Sequence, residues 1–297
     1  MSYAGCRVVN NFNSFKDLYP FTSLYFDLSP YKLHYLDEGE GEVLLFLHGN
    51  PTWSFYYRSL IQNFQGRYRC VVPDHIGCGF SDKPQDYNYT LTTHIDNLEK
   101  LVDFLGLKNI TLVLHDWGGA IGMGLAVRKP ELIKRLVLFN TAAFLLRDIP
   151  LRIGLCRMPL LGTILIRYLN FFVRGVLRFG LKRQNRLTQN IVAGYLAPYD
   201  TFENRIANLK FVQDIPMEQT VPSYSVIQYI ERNLKQFDGY PILIIWGSED
   251  FCFNDKFLNK WREIFPRAEV HEVCNAGHLV VEDASDEIIP WIEEFLR

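Results

Sequence analysis

The chain has 297 residues, 48% of them hydrophobic, with a formal net charge of −2. That length suits one large α/β domain carrying an insertion, and the balanced charge excludes a nucleic-acid surface spread over the whole protein. Six cysteines (Cys6, Cys70, Cys78, Cys156, Cys252 and Cys274) show neither Cys-x-x-Cys nor disulfide-like spacing, so reduced thiols without metal are expected. Residues 1–7 lack the basic-then-apolar layout of a signal peptide. No apolar run reaches the roughly 20 residues of a membrane span; residues 158–166 come nearest and end at Arg167. A soluble, cytoplasmic protein is the expectation.

In chain order, residues 21–28 and 32–35 alternate around Ser29-Pro30 and predict a hairpin. Residues 42–47 read as a buried strand that runs into His48-Gly-Asn-Pro51 and a helix over 55–64. A strand over 68–73 leads to the glycine-rich loop 74–84, and residues 91–105 have helical periodicity. Residues 110–114 are the β-branched and aliphatic run of a strand buried on both faces. Asp116, Trp117, Gly118 and Gly119 follow, then a small-residue helix over 120–127, and residues 135–139 form the next strand.

From 142 to 217 the alternation stops and the chain is arginine-rich, apolar and helical. It resumes with a helix over 222–234, a strand over 241–246, a helix over 254–264, a strand over 269–273 and a terminal helix over 284–295. The pattern predicts an α/β fold: a mostly parallel sheet flanked by helices, with an inserted helical cap. Residues 1–141 and 218–297 form the core domain and residues 142–217 the cap, laid over the strand ends where ligands bind in such sheets.

A strand that turns sharply into a helix, with one polar side chain at the bend, has the form of a nucleophile elbow. Here that side chain is Asp116. A carboxylate is a poor acyl acceptor but a competent nucleophile toward sp3 carbon bearing a leaving group. Asp116 equally suits an N-cap of the following helix. His278, in the loop before the terminal helix, stands last in the order nucleophile, acid, histidine. Asp250, just after the strand 241–246, is placed to orient it. Glu249 and Asp255 compete for that role, while Asn140, after the strand that follows the nucleophile, cannot carry the charge. Asn50 offers a backbone N–H and a side-chain amide, and Trp117 an indole donor, a neutral pair suited to a large soft anion. An Asn-Pro turn and simple packing of Trp117 are the plainer readings of those two residues.

His48-Gly-Asn-Pro-Thr52, residues 73–84, His115-Asp-Trp-Gly118, Gly247-Ser-Glu-Asp250 and Gly277-His278 together resemble the haloalkane dehalogenase family of α/β-hydrolases over nearly the whole chain outside the cap. The resemblance implies a nucleophile at Asp116, a base at His278, an acid at Asp250 and a halide-stabilising pair at Asn50 and Trp117. It implies no metal or organic cofactor and a small apolar substrate. The acid position and the Asn–Trp pair resemble the branch that also contains the β-lactone decarboxylases of bacterial olefin biosynthesis. Trp117 differs from the Arg that fluoroacetate dehalogenases carry after the nucleophile.

Four functional readings follow. Halide-releasing hydrolysis through an alkyl-aspartate ester is the leading one. The alternative is a lyase reaction that opens a long-chain cis-β-lactone to carbon dioxide and an alkene. An epoxide hydrolase, using Tyr168, Tyr195 or Tyr199 as a cap acid, and a non-catalytic binding protein complete the set. Within the cap, Arg167, Arg174 and Arg178 fall on one helical face, and Leu165, Leu169, Phe172, Val176 and Phe179 on another. That reads as a solvated basic face, or as a contact for an anionic membrane surface or an acidic partner; self-association is a further expectation.

Overall fold

The computed structural model describes residues 14–297; the signal-peptide reading of residues 1–7 and the thiol state of Cys6 fall outside the described residues. Strands β1 (Leu24–Asp27), β2 (Lys32–Glu38), β3 (Glu42–Leu47), β4 (Tyr68–Pro73), β5 (Ile110–Asp116), β6 (Ile133–Thr141), β7 (Ile242–Gly247) and β8 (Glu269–Val273) form one sheet in the order β1-β2-β4-β3-β5-β6-β7-β8. The β1–β2 and β2–β4 pairs are antiparallel and every later pair is parallel. Helices α1 (Arg58–Phe64), α2 (Leu91–Phe104) and α3 (Trp117–Arg128) cross over between the early strands. Helices α4 (Leu151–Arg157), α5 (Pro159–Gly162), α6 (Phe171–Phe179), α7 (Gln189–Leu196), α8 (Ile206–Gln213) and α9 (Ser223–Asn233) lie between β6 and β7. Helices α10 (Asp255–Ile264) and α11 (Val280–Leu296) complete the chain.

The continuous apolar runs of the central strands have a reason in the pleat, since successive side chains point to opposite faces and both faces are covered. Leu45 and Leu47 of β3, Leu112 and Leu114 of β5, and Leu136 and Leu138 of β6 pack with α2, α3, α9 and α10. Leu44, Phe46, Val113, Val137 and Phe139 point the other way and pack with α1 and α11. Each such side chain contributes about 1.5–3 kcal/mol of burial. Every residue of β5 is buried, which makes it the floor on which the site stands.

The long insertion departs from the sequence expectation in one respect. A π-helical turn (Thr163–Tyr168) follows α5, and Asn170, at φ +51°, breaks the chain before α6. The segments Pro159–Tyr168 and Phe171–Phe179 meet at 76°, so Arg167 and Arg174 share no helical face. Arg167 turns inward instead, donating to Gln85 Oε1 (2.6 Å) and Phe202 O (3.2 Å) with its guanidinium over the Phe202 ring. Among the described residues no single helix is long and apolar enough to cross a membrane; only this bent pair passes that test of length and composition together. The terminal helix begins a turn earlier than its periodicity indicates and bends at Ala284.

Candidate active site

All the candidate residues arrive from the carboxyl ends of parallel strands, where open α/β sheets bind ligands. Asp116 is the last residue of β5 and adopts φ +51°, ψ −125°, a strained conformation for a residue with a side chain. The following helix can come this close to the sheet because Gly118 is bare: a Cβ there would overlap the carbonyl oxygen of Leu47. Thr141 Oγ1 donates to the Asp116 carbonyl and ties the turn to β6.

The carboxylate of Asp116 makes no side-chain capping bond to α3, so the N-cap reading is not what holds it. Its Oδ1 accepts the Asn50 backbone N–H at 2.6 Å, and the Trp117 backbone N–H also bears on it. Burial pushes its pKa above the ordinary aspartate value, while the nearby imidazole and these two N–H groups restrain the rise.

His278 sits on the loop between β8 and α11 and is 3% exposed. Its Nδ1–H donates to Asp250 Oδ2 at 2.9 Å, and its Nε2 lies 3.9 Å from Asp116 Oδ2. The ring is stacked on Phe253, and its backbone carbonyl lies 2.8 Å from Nε2 of the buried His115. Burial opposes protonation of His278, but the Asp250 and Asp116 carboxylates outweigh it and raise the pKa above the ordinary imidazole value. Asp250 is buried after β7, its second oxygen taken by the Cys252 N–H at 2.6 Å. Glu249, its neighbour, is half-exposed and paired with Lys182 at 3.3 Å. Asn140 exchanges hydrogen bonds with the Gly247 peptide group, pinning β6 to the end of β7.

Asn50 and Trp117 join Asp116 and His278 around one small cavity of about 40 Å³, roofed by Ile153, Phe172, Val176, Val212 and Ile215 from the helical insertion. Asn50 is more constrained than its sequence suggests. Its Nδ2 donates to Asn208 O of α8 at 3.1 Å, and its Oδ1 is buried without a partner. Trp117 is half-buried, with its ring 5.3 Å from that of Phe211. The roof residues carried no sequence signal beyond being apolar.

The tyrosines considered as cap acids are elsewhere. Tyr168 is 67% exposed, Tyr195 donates to Glu282 and Tyr199 to Thr52 O. None of the three lines the cavities at Asp116, so an epoxide hydrolase that relies on them has no acid in place.

Sequence comparison agrees with this geometry. A family model of the α/β hydrolase fold matches residues 42–285, and the chain belongs to that family of enzymes. Within it, the chain is 50% identical over 285 residues to the cis-3-alkyl-4-alkyloxetan-2-one decarboxylase of Shewanella oneidensis, covering 94% of this chain and 89% of the relative. It is 34% identical to haloalkane dehalogenase 2 of Mycobacterium tuberculosis, covering 93% and 96% of the two chains. The crystal structure of the haloalkane dehalogenase DatA from Agrobacterium tumefaciens C58 superposes with a TM-score of 0.83 at 26% identity, over 93% of this chain and 96% of that one.

Proposed function

We propose that this protein opens cis-3,4-dialkyl β-lactones with Asp116 as nucleophile and releases carbon dioxide and a cis alkene. Hydrolytic dehalogenation through the same carboxylate is the second reading. The observation that carries both is a buried carboxylate, held by two backbone N–H groups, beneath an apolar roof and beside a carboxylate-paired imidazole. The 50% identity to an oxetanone decarboxylase favours the lactone.

In the lactone reaction an Asp116 oxygen bonds to C4 from behind as the C4–O bond breaks, leaving a carboxylate on C3. Asn50 and Trp117 meet that anion. The C3–carboxylate bond then breaks, its electron pair forms the double bond, and Asp116 departs from C4 as a carboxylate. Inversion at C4 followed by anti elimination turns a cis lactone into a cis alkene. No water is consumed, and His278 serves as the charge against which Asp116 returns. With an alkyl halide the ester has no such exit, and His278 takes a proton from the water that cleaves it.

We place the core in residues 1–141 and 218–297 and the cap in residues 142–217. The exposed Leu151, Leu160, Tyr168 and Phe171 of the cap support a membrane or protein contact over a merely solvated face.

The test is a substrate pair given to the purified protein: a cis-3,4-dialkyl lactone, assayed for alkene and carbon dioxide, and a 1-bromoalkane, assayed for bromide. Alkene release that Asp116→Asn abolishes is expected. Bromide release without any alkene transfers the assignment to dehalogenation, and neither product removes both readings.

A further inference from the structure

Three apolar hollows meet at Ile153. The central one holds Asp116 and His278. A second, of about 110 Å³, keeps Asp116 and Trp117 in its wall and extends past Ala142, Phe144 and Leu146 to Ile227. A third, of about 250 Å³, lies between α4 and α6 and shares Ile153, Phe172, Val176 and Phe251 with the centre. Ile153 belongs to all three walls, and it is the only residue common to the second and third. The two outer hollows therefore leave the reacting centre in different directions.

They also differ in character. The second has no exposed residue in its wall: Ala120, Phe144, Ile227 and Phe257 are among its buried residues, and the rest, Asp148 among them, are partly buried. The third reaches the surface, where Leu155, Phe171 and Phe179 are 40%, 60% and 45% exposed. Arg152 closes part of its rim, with its guanidinium 4.3 Å from the Phe179 ring centre. An open apolar groove separated from a reaction cavity only by shared apolar side chains is favourable ground for a hydrocarbon chain and poor ground for anything polar.

We propose that the two outer hollows bind two separate alkyl chains carried on adjacent carbons of one substrate, one chain in each, with the reacting ring held at Asp116. The proposal rests on the β-lactone reading, because a primary haloalkane has one chain and needs one hollow. The core hollow sets an upper limit on the length of its chain. The groove lets the other chain run out to the surface, so the enzyme tolerates elongation on one ring carbon much better than on the other.

Gly175 of α6 gives the test, since it lines the groove and a Cβ added there meets no atom within 4 Å. Gly175→Phe therefore adds bulk at the groove wall with no clash at its Cβ, and Leu146→Trp crowds the other hollow. Each is compared with wild type on two cis lactones, one with octyl at C3 and methyl at C4, the other with these exchanged. Gly175→Phe is expected to shift the ratio of kcat/KM for the two isomers by about tenfold or more, the scale of a few displaced methylenes. Leu146→Trp is expected to shift it in the opposite direction. Shifts in the same direction, or a Gly175→Phe ratio within about twofold of wild type in a protein with an unaltered melting transition, overturn the proposal. Calorimetric binding of the matching cis-2,3-dialkylcyclobutanones, which have no ring oxygen to release, reads the same ratio without chemistry. A binding ratio that shifts with no alkene formed keeps the two hollows and removes the lactone reading. Alkene formed with an unshifted ratio does the reverse.

Discussion

His278 Nε2 stands 3.9 Å from Asp116 Oδ2. That is beyond hydrogen-bond reach, so in the proposed reaction the Asp116 oxygen is free for substrate while the imidazole remains close enough to act on whatever Asp116 binds. On the proposed mechanism the two groups serve successive steps, and their protonation affects the two products differently.

In the proposed reaction Asp116 attacks only as a carboxylate, and burial places its pKa above the ordinary aspartate value. Alkene release should fall on acidification at a pH above about 3.9, where an unperturbed aspartate titrates. Alcohol formation from a bromoalkane needs neutral His278 as well, and the carboxylates that outweigh its burial raise its pKa. That product should rise with pH along a second limb above about 6.5. Asp250→Asn should lower the hydrolytic rate by about 10²–10⁴ and move this limb to lower pH, because the attraction raising the imidazole pKa is gone. Both groups hold protons more readily folded than unfolded, so each withdraws stability as pH rises through its folded value. Asp116→Asn should consequently melt at a higher temperature than wild type at pH 8. Rate profiles of the two products and a thermal melt check these signs.

Gly49 lies against the nucleophile, and a Cβ there would overlap the Asp116 carboxylate. Gly49→Ala should displace that carboxylate and lower turnover by about 10²-fold. The overlap includes the Asp116 Cβ, which the backbone holds in place, so the substitution should also cost about 1–3 kcal/mol of stability. Steady-state kinetics alongside a urea melt separate the two effects.

Arg58 and Glu282 form a bidentate pair at 2.8 and 2.6 Å, each residue 8% exposed, with Tyr195 donating to the same carboxylate. Removing one partner leaves a buried charge uncompensated, so Arg58→Ala should cost about 3–5 kcal/mol. Arg67 pairs with Glu293 at a surface where its side chain is 56% exposed, and Arg67→Ala should cost less than about 1 kcal/mol. Chemical denaturation of the two variants gives the comparison.

Much of this architecture was legible in the sequence, because hydrophobic period and turn residues are local signals. The strands expected at 42–47, 68–73 and 269–273 coincide with β3, β4 and β8. Asp116, His278 and Asp250 could be picked out by their places after strands, and it is Asp250 that meets the His278 Nδ1–H while Glu249 pairs with Lys182. The insertion was harder to read. Helical periodicity runs unbroken through 163–179, whereas the chain turns at Asn170, which adopts a left-handed conformation that asparagine tolerates and sequence does not announce. The commitment of the Asn50 amide to Asn208 is likewise a contact across 158 residues that no local pattern carries.

One carboxylate outside the reacting centre binds the insertion to it. Asp283, buried at the start of α11, accepts the backbone N–H groups of Lys182 and Arg183 at 2.8–3.1 Å and, at 2.8 Å, that of Gly277 beside His278. Gly180 O takes the Leu279 N–H from the other side at 3.0 Å. The imidazole is thus suspended from the same knot that fastens the last stretch of α6. A lid swinging far enough to admit a long hydrocarbon must either hinge upstream of residue 180 or carry the base along with it.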